Sequence, residues 1–186
     1  DPVAAPLEIL QPDPYNPATL LYEAAWMTAR FDPRDQQHYV YLYTSGPDAF
    51  GDESYTVQVA RSSNGPTGPF VTLAHAAGRA DSVIYRSNAT FVNPGACAIT
   101  RDAAGQEWML CHATLRADIP NYEQLRHSRD ALWQTLRNTR RVMLLDPIVY
   151  HDGWPIVSGG TPSPARQNGP MQQRHAGASV RNFRFE

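Results

Sequence analysis

Residues 22–31 read YEAAWMTARF and set a single carboxylate, Glu23, directly ahead of the apolar run Ala24, Ala25, Trp26 and Met27. An acid in that position is either a solvated strand end or a group aimed at something, because carboxylates seldom stay buried without a partner. His112, in Cys-His-Ala, fits either a functional channel or a core histidine satisfied by a hydrogen bond. His38, His75, His127, His151 and His175 show no ligand spacing and read as surface residues, so no metal site is assigned. Cys97 and Cys111 lie symmetrically about a hairpin loop, RDAAGQ, centred near Ala104. They would face each other across two strands, either as a disulfide or as two buried free thiols. A bridge would indicate an oxidising compartment. Asn88-Ala89-Thr90 is a glycosylation sequon, a short pattern that carries little weight alone.

The elements that must position these groups are mostly strands. Tyr39–Tyr43 (YVYLY) and Tyr55–Val59 (YTVQV) are aromatic and β-branched runs bounded by turn formers, SGPDAFGD and SSNGPTGP. Ala98–Thr100 and Glu107–His112 flank RDAAGQ, and Val142–Leu145 and Ile156–Val157 bracket DPIVYHDGWP as strand, turn, strand. One helix is expected at about 121–139, with Tyr122, Leu125, Leu132 and Leu136 on one face and Trp133 beside them. Residues 159–182 read as loop, and VRNFRFE as a last short strand.

A chain of 186 residues fits one domain with a sizeable core. The net charge of −2 provides no long-range field for nucleic acid or an anionic membrane, so neither is expected as a partner. Nothing approaches the ~18–20 apolar residues of a bilayer span, and no signal segment is visible, so export would mean one already removed.

The strand order repeats. WMTARF, HYVYLYTS, YTVQVARS and PFVTL form one set of four; ACAIT, EWMLCHA, RVMLLD and PIVSG form a second, with the helix inserted before its third member. Four consecutive antiparallel strands, repeated, are propeller blades. The fold class is therefore all-β, about two four-stranded blades with one inserted helix. The segment 1–19 reads as an N-terminal loop, 20–163 as the blades and 164–186 as a tail.

Several stretches in order resemble the C-terminal part of glycoside hydrolase family 43, five-bladed propellers that cleave arabinose- and xylose-containing polysaccharides. YEAAWM is similar to the family's acid-bearing strand, and YTVQVARSSNGPTGPF to its Ala-Arg-Ser turn. FVNPGACAITRDAAGQEWMLCHA is similar to its Gly-Pro-Gly hairpin, and RVMLLDPIVYHDGWPIVSGGTPS to its Asp-Gly-Trp-Pro ending. The resemblance implies that Glu23 is the general acid of an inverting glycosidase, with its pKa raised by the apolar surround of Ala24, Ala25 and Trp26. It also implies substrate contacts from Trp26 and His112, and no cofactor.

Two departures qualify it. The family's general base and its second Asp precede the acid strand, and here the only Asp residues that do are Asp1 and Asp13, in Pro-rich loop sequence and in no matching motif. Ala96 stands where many relatives carry a His near a metal or water cluster. Two blades would also leave apolar faces uncovered. The expectation is a subunit or fragment whose base and remaining blades come from a second polypeptide, acting on a secreted enzyme's arabinofuranosyl or xylosyl substrate. The alternatives are a non-catalytic carbohydrate-binding relative, or an interaction scaffold using helix 121–139.

Overall fold

Aromatic and β-branched residues fit the half-buried, pleated surface of a sheet, and both sets of such runs fold into one. In the computed structural model, which describes residues 7–11, 22–47, 53–165 and 168–171, the first sheet is antiparallel. It runs β1 (Glu23–Asp32), β2 (Gln37–Gly46), β3 (Thr56–Ser62) and β4 (Val71–Thr72), with β5 (Val83–Tyr85) also paired to β3. The second runs β6 (Phe91–Arg101), β7 (Glu107–Leu115), β8 (Arg141–His151) and β9 (Trp154–Val157). Each sheet follows sequence order, as blades do.

Several elements differ from the sequence reading. The fourth strand shrinks to two residues because Thr72 caps a helix, its Oγ1 accepting from the His75 N–H at 3.3 Å. That helix, α1 (Leu73–Ala77), ends at Gly78 in the left-handed region. β5 is only three residues long, too short to show alternation. β8 does not stop at Asp146-Pro147 but continues to His151, with Pro147 opposite Trp108. Pairing with β9 begins only at Ile148, so on that side the missing N–H of Pro147 breaks no ladder bond. The turn is Asp152-Gly153, both at positive φ as a tight hairpin requires.

The single helix expected at 121–139 is two: α2 (Tyr122–Leu125) and α3 (Arg129–Leu136). Ser128 between them is extended, which ends the first helix and begins the second. Tyr122, Leu132 and Leu136 nevertheless bury together, with Val92, Ile119 and Leu125. The segment VRNFRFE lies outside the described residues. No described helix is long and apolar enough to cross a membrane.

The two sheets pack face to face. Tyr41, Tyr43, Val57 and Val59 of the first meet Cys97, Ile99, Met109, Cys111 and Ile148 of the second in one cluster. At its edge the buried carboxylate of Glu107 accepts from Arg101 at 2.6 Å and from the Tyr150 hydroxyl at 2.7 Å, while Arg30 of β1 stacks on the Tyr150 ring. A second tie is a clasp. The Gly153 carbonyl accepts from Tyr41 (2.6 Å) and Arg61 (2.8 Å), and Arg34 joins Asp32 (2.7 Å) to Asp152 (3.1 Å). A side chain on Gly153 would collide with Arg34, Arg61 and Asp32. The Asp-Gly-Trp segment thus locks the second blade onto the first.

Candidate functional site

β1 opens with a bulge: Glu23 pairs with Ser45, the ladder resumes only at Trp26 with Tyr43, and Ala24 between them takes φ 51°. An extra residue re-aims side chains, which is how bulges serve functional positions. The Glu23 carboxylate meets Tyr55, whose hydroxyl donates to Oε1 at 2.5 Å. Tyr55 is 2% exposed, and its ring lies against Gly95, where any side chain would collide with it. β6 is itself bulged on both sides of Gly95. Within that bulge Ala96, at φ 48°, donates its N–H to Ser45 Oγ at 2.9 Å. His112 stands opposite Gly95 and stacks on the Tyr55 ring, centroids 6.3 Å apart and planes 11° off parallel. Arg141, at the head of β8, reaches the ring nitrogen Nε2 of His112 at 3.1 Å.

The protonation of this group follows from its contacts. A guanidinium can only donate, so Nε2 of His112 accepts and the ring proton sits on Nδ1. Burial, then the Arg141 charge, lower His112 to about 4, against a smaller opposing effect of Glu23. The ring is therefore neutral at pH 7. Burial pushes the Tyr55 phenol up, and its bond to Glu23 adds to that. Burial lowers Arg141, partly offset by Tyr55 and Glu23. The cluster thus combines the Glu23 carboxyl group with a phenol that stays protonated, a neutral imidazole and a guanidinium, a set suited to proton transfer and to binding hydroxyls. Among the described residues no group of His, Cys, Asp and Glu could hold a metal ion.

Solved structures of family-43 glycoside hydrolases match the chain over most of its described length. A thermostable family-43 glycoside hydrolase superposes with a TM-score of 0.58 at 17% identity, covering 92% of this chain and 46% of the other. The α-L-arabinofuranosidase from Lactobacillus brevis gives 0.57 at 16% identity, covering 89% and 45%. An α-L-arabinanase mutant from Cellvibrio cellulosa gives 0.51 at 21%, covering 74% and 36%. The chain has the family-43 propeller fold. It spans less than half the length of each of these three structures. No protein-family model and no curated protein matches the sequence.

On this family-43 fold, the residues singled out from the sequence fare differently. Glu23 and His112 come together through Tyr55. Trp26 is 41% exposed, and Ala24 and Ala25 also face solvent, so the apolar surround expected for Glu23 is not what flanks it. The bulge turned these neighbours outward and left Tyr55 and its stacked partner at the carboxylate. Cys97 and Cys111 are buried free thiols, not a disulfide. Cys97 falls inside the β6 bulge, outside the regular ladder that pairs Ala98 with Leu110. His38, His75, His127 and His151 are exposed; Asp1, Asp13 and His175 lie outside the described residues. The sequon Asn88 is engaged, donating from Nδ2 to the Pro162 carbonyl at 2.7 Å. Sequence reasoning missed Tyr55, Ser45, Gly95 and Arg141 as site residues. Gly95 alone left a sign, as a glycine inside a strand marks a bulge or a close approach; Arg141 sits at the end of a helical pattern and left none.

Proposed function

We propose that this chain provides two blades of an inverting glycoside hydrolase acting on arabinofuranosyl or xylosyl linkages, with Glu23 as general acid. The observation that carries this reading is the Glu23 carboxylate, half-buried on the first strand of a blade and held by Tyr55 beside neutral His112 and Arg141. Glu23 donates a proton to the departing glycosidic oxygen, and a second carboxylate roughly 6.5–9.5 Å away activates water on the opposite face of the sugar. Asp32, Glu53, Glu107 and Asp146 are bound to Arg34, Arg116, Arg101 and Tyr85 respectively, so none of them serves as that base. We assign the base to blades outside the described pair. Exposed Trp26 and the His112 edge are the proposed sugar contacts, and a polymeric substrate places the work outside the cell.

Glu23→Gln keeps the size of the side chain but removes the proton. It should lower hydrolysis of arabinan or aryl arabinofuranosides by ~10²–10⁴-fold, and by less for aglycones that leave without protonation. Equal losses on good and poor leaving groups would rule the acid role out. That the buried carboxylates Asp32, Glu107 and Asp146 are all engaged favours one other reading, a non-catalytic saccharide-binding relative. Unaltered saccharide binding by an inactive parent and by Glu23→Gln alike would select it.

A further inference from the structure

The contact between Tyr55 and Glu23 is more elaborate than a structural hydrogen bond needs to be. We propose that Tyr55 is a positioning residue for Glu23, fixing Oε1 as the hydrogen-bonded oxygen so that the transferable proton rides on Oε2. This rests on the reading of Glu23 as general acid.

The direction of the hydrogen bonds carries the argument. The Ala96 N–H can only donate, so Ser45 Oγ accepts from it at 2.9 Å and has its own hydrogen to give. The Ser45 side chain acts on the Tyr55 phenol in the direction that makes it a better donor, and the phenol hydrogen goes to Glu23 Oε1 at 2.5 Å. Burial keeps the phenol protonated, so this donor does not switch off in the neutral range. The ring has no freedom to turn away, because Gly95 lies against one part of it and the His112 ring is stacked alongside. An oxygen that already accepts a strong bond is the poorer site for a proton, which leaves Oε2.

In the reaction the Oε2–H bond breaks as the glycosidic oxygen takes the proton. The electrons of the broken carbon–oxygen bond go to that oxygen. Water adds its oxygen to the anomeric carbon and gives its proton to the base carboxylate. Glu23 finishes ionised, with Oε1 already bonded by Tyr55, so the bond strengthens as charge develops and favours the transition state over the ground state.

The test uses Tyr55→Phe in the native particle. Losing one charge-assisted bond should lower kcat by about 10–100-fold on substrates with poor leaving groups. KM should hardly move, and the loss should shrink for acidic leaving groups. A purely structural role would lower all substrates alike, and that result would overturn the proposal. Ser45→Ala retains the phenol and its packing; the same leaving-group pattern at smaller size is expected even where Tyr55→Phe folds poorly. A readout independent of turnover is the ¹³Cζ resonance of Tyr55, identified by its disappearance in Tyr55→Phe. It should move in Glu23→Gln, and an unmoved resonance would also overturn the proposal. Inactive Glu23→Gln with fully active Tyr55→Phe defeats this inference alone, whereas active Glu23→Gln defeats the acid assignment beneath it.

Discussion

Gly95 shows how one missing side chain builds a site. The Tyr55 ring occupies the space where a Cβ would stand, so Gly95→Ala must push either the ring or the β6 bulge. Overpacking of this kind costs about 1–3 kcal/mol, readable as a lowered denaturation midpoint, and hydrolysis should fall with the Tyr55→Phe pattern because the same ring is displaced. The two cysteines make a contrasting case at the same scale. Burial pushes both thiols up to about 12, so neither should react with a thiol reagent in the folded protein. Two thiols are expected once the protein is denatured without reductant. Finding none would mean a bridge and a history in an oxidising compartment.

At the scale of elements, the strands were legible because their aromatic and β-branched runs announce themselves, and their repeated order announced two blades. What was not legible has a physical cause in each instance. Alternation says nothing about bulges, and it is the two bulges, at Ala24 and around Gly95, that bring Glu23, Tyr55, Ser45 and His112 together. The helical spacing of Tyr122, Leu125, Leu132 and Leu136 identified the buried face correctly but not the break at Ser128, since two short helices can share one face. The Asp-Gly-Trp segment read as a turn, yet its partners lie in the other blade. That clasp has its own pH dependence. Asp32 is held at about 2, below its ordinary 3.8, chiefly by its bond to Arg34 and against the cost of burial. Its folded-state value is depressed, so its stabilisation is fully present above pH 3.8 and is lost as pH falls towards 2. Unfolding followed down an acid series should show this loss in the parent protein and lack that component in Asp32→Asn, which starts less stable at neutral pH.

At the scale of the molecule, large apolar side chains stay exposed on β1, β8 and β9. On the far side of the second blade Met143, Leu145, Val149 and Ile156 are exposed, Met143 at 66%, and Met27 and Phe31 are exposed on β1. Val149 and Ile156 are register partners, so these residues adjoin on one sheet face. Contiguous apolar faces of this kind mark interfaces, and we take them as the seats of further blades. Light scattering on this 186-residue chain in solution should therefore give a particle heavier than 20.7 kDa, as the exposed faces associate. A monodisperse particle of 20.7 kDa with a cooperative thermal transition would reject the assembly and favour the non-catalytic reading. The clasp also bears on how the chain is made. Arg61 and Gly153 are 92 residues apart in sequence, and Arg34 and Asp152 are 118 apart. A ribosome adding ~5–20 residues per second takes roughly 5–20 s to cover the first gap. Within that interval β6, β7 and β8 emerge and can cover Tyr41, Tyr43, Val57 and Val59, but the two blades stay unlatched until the Asp-Gly-Trp segment is made.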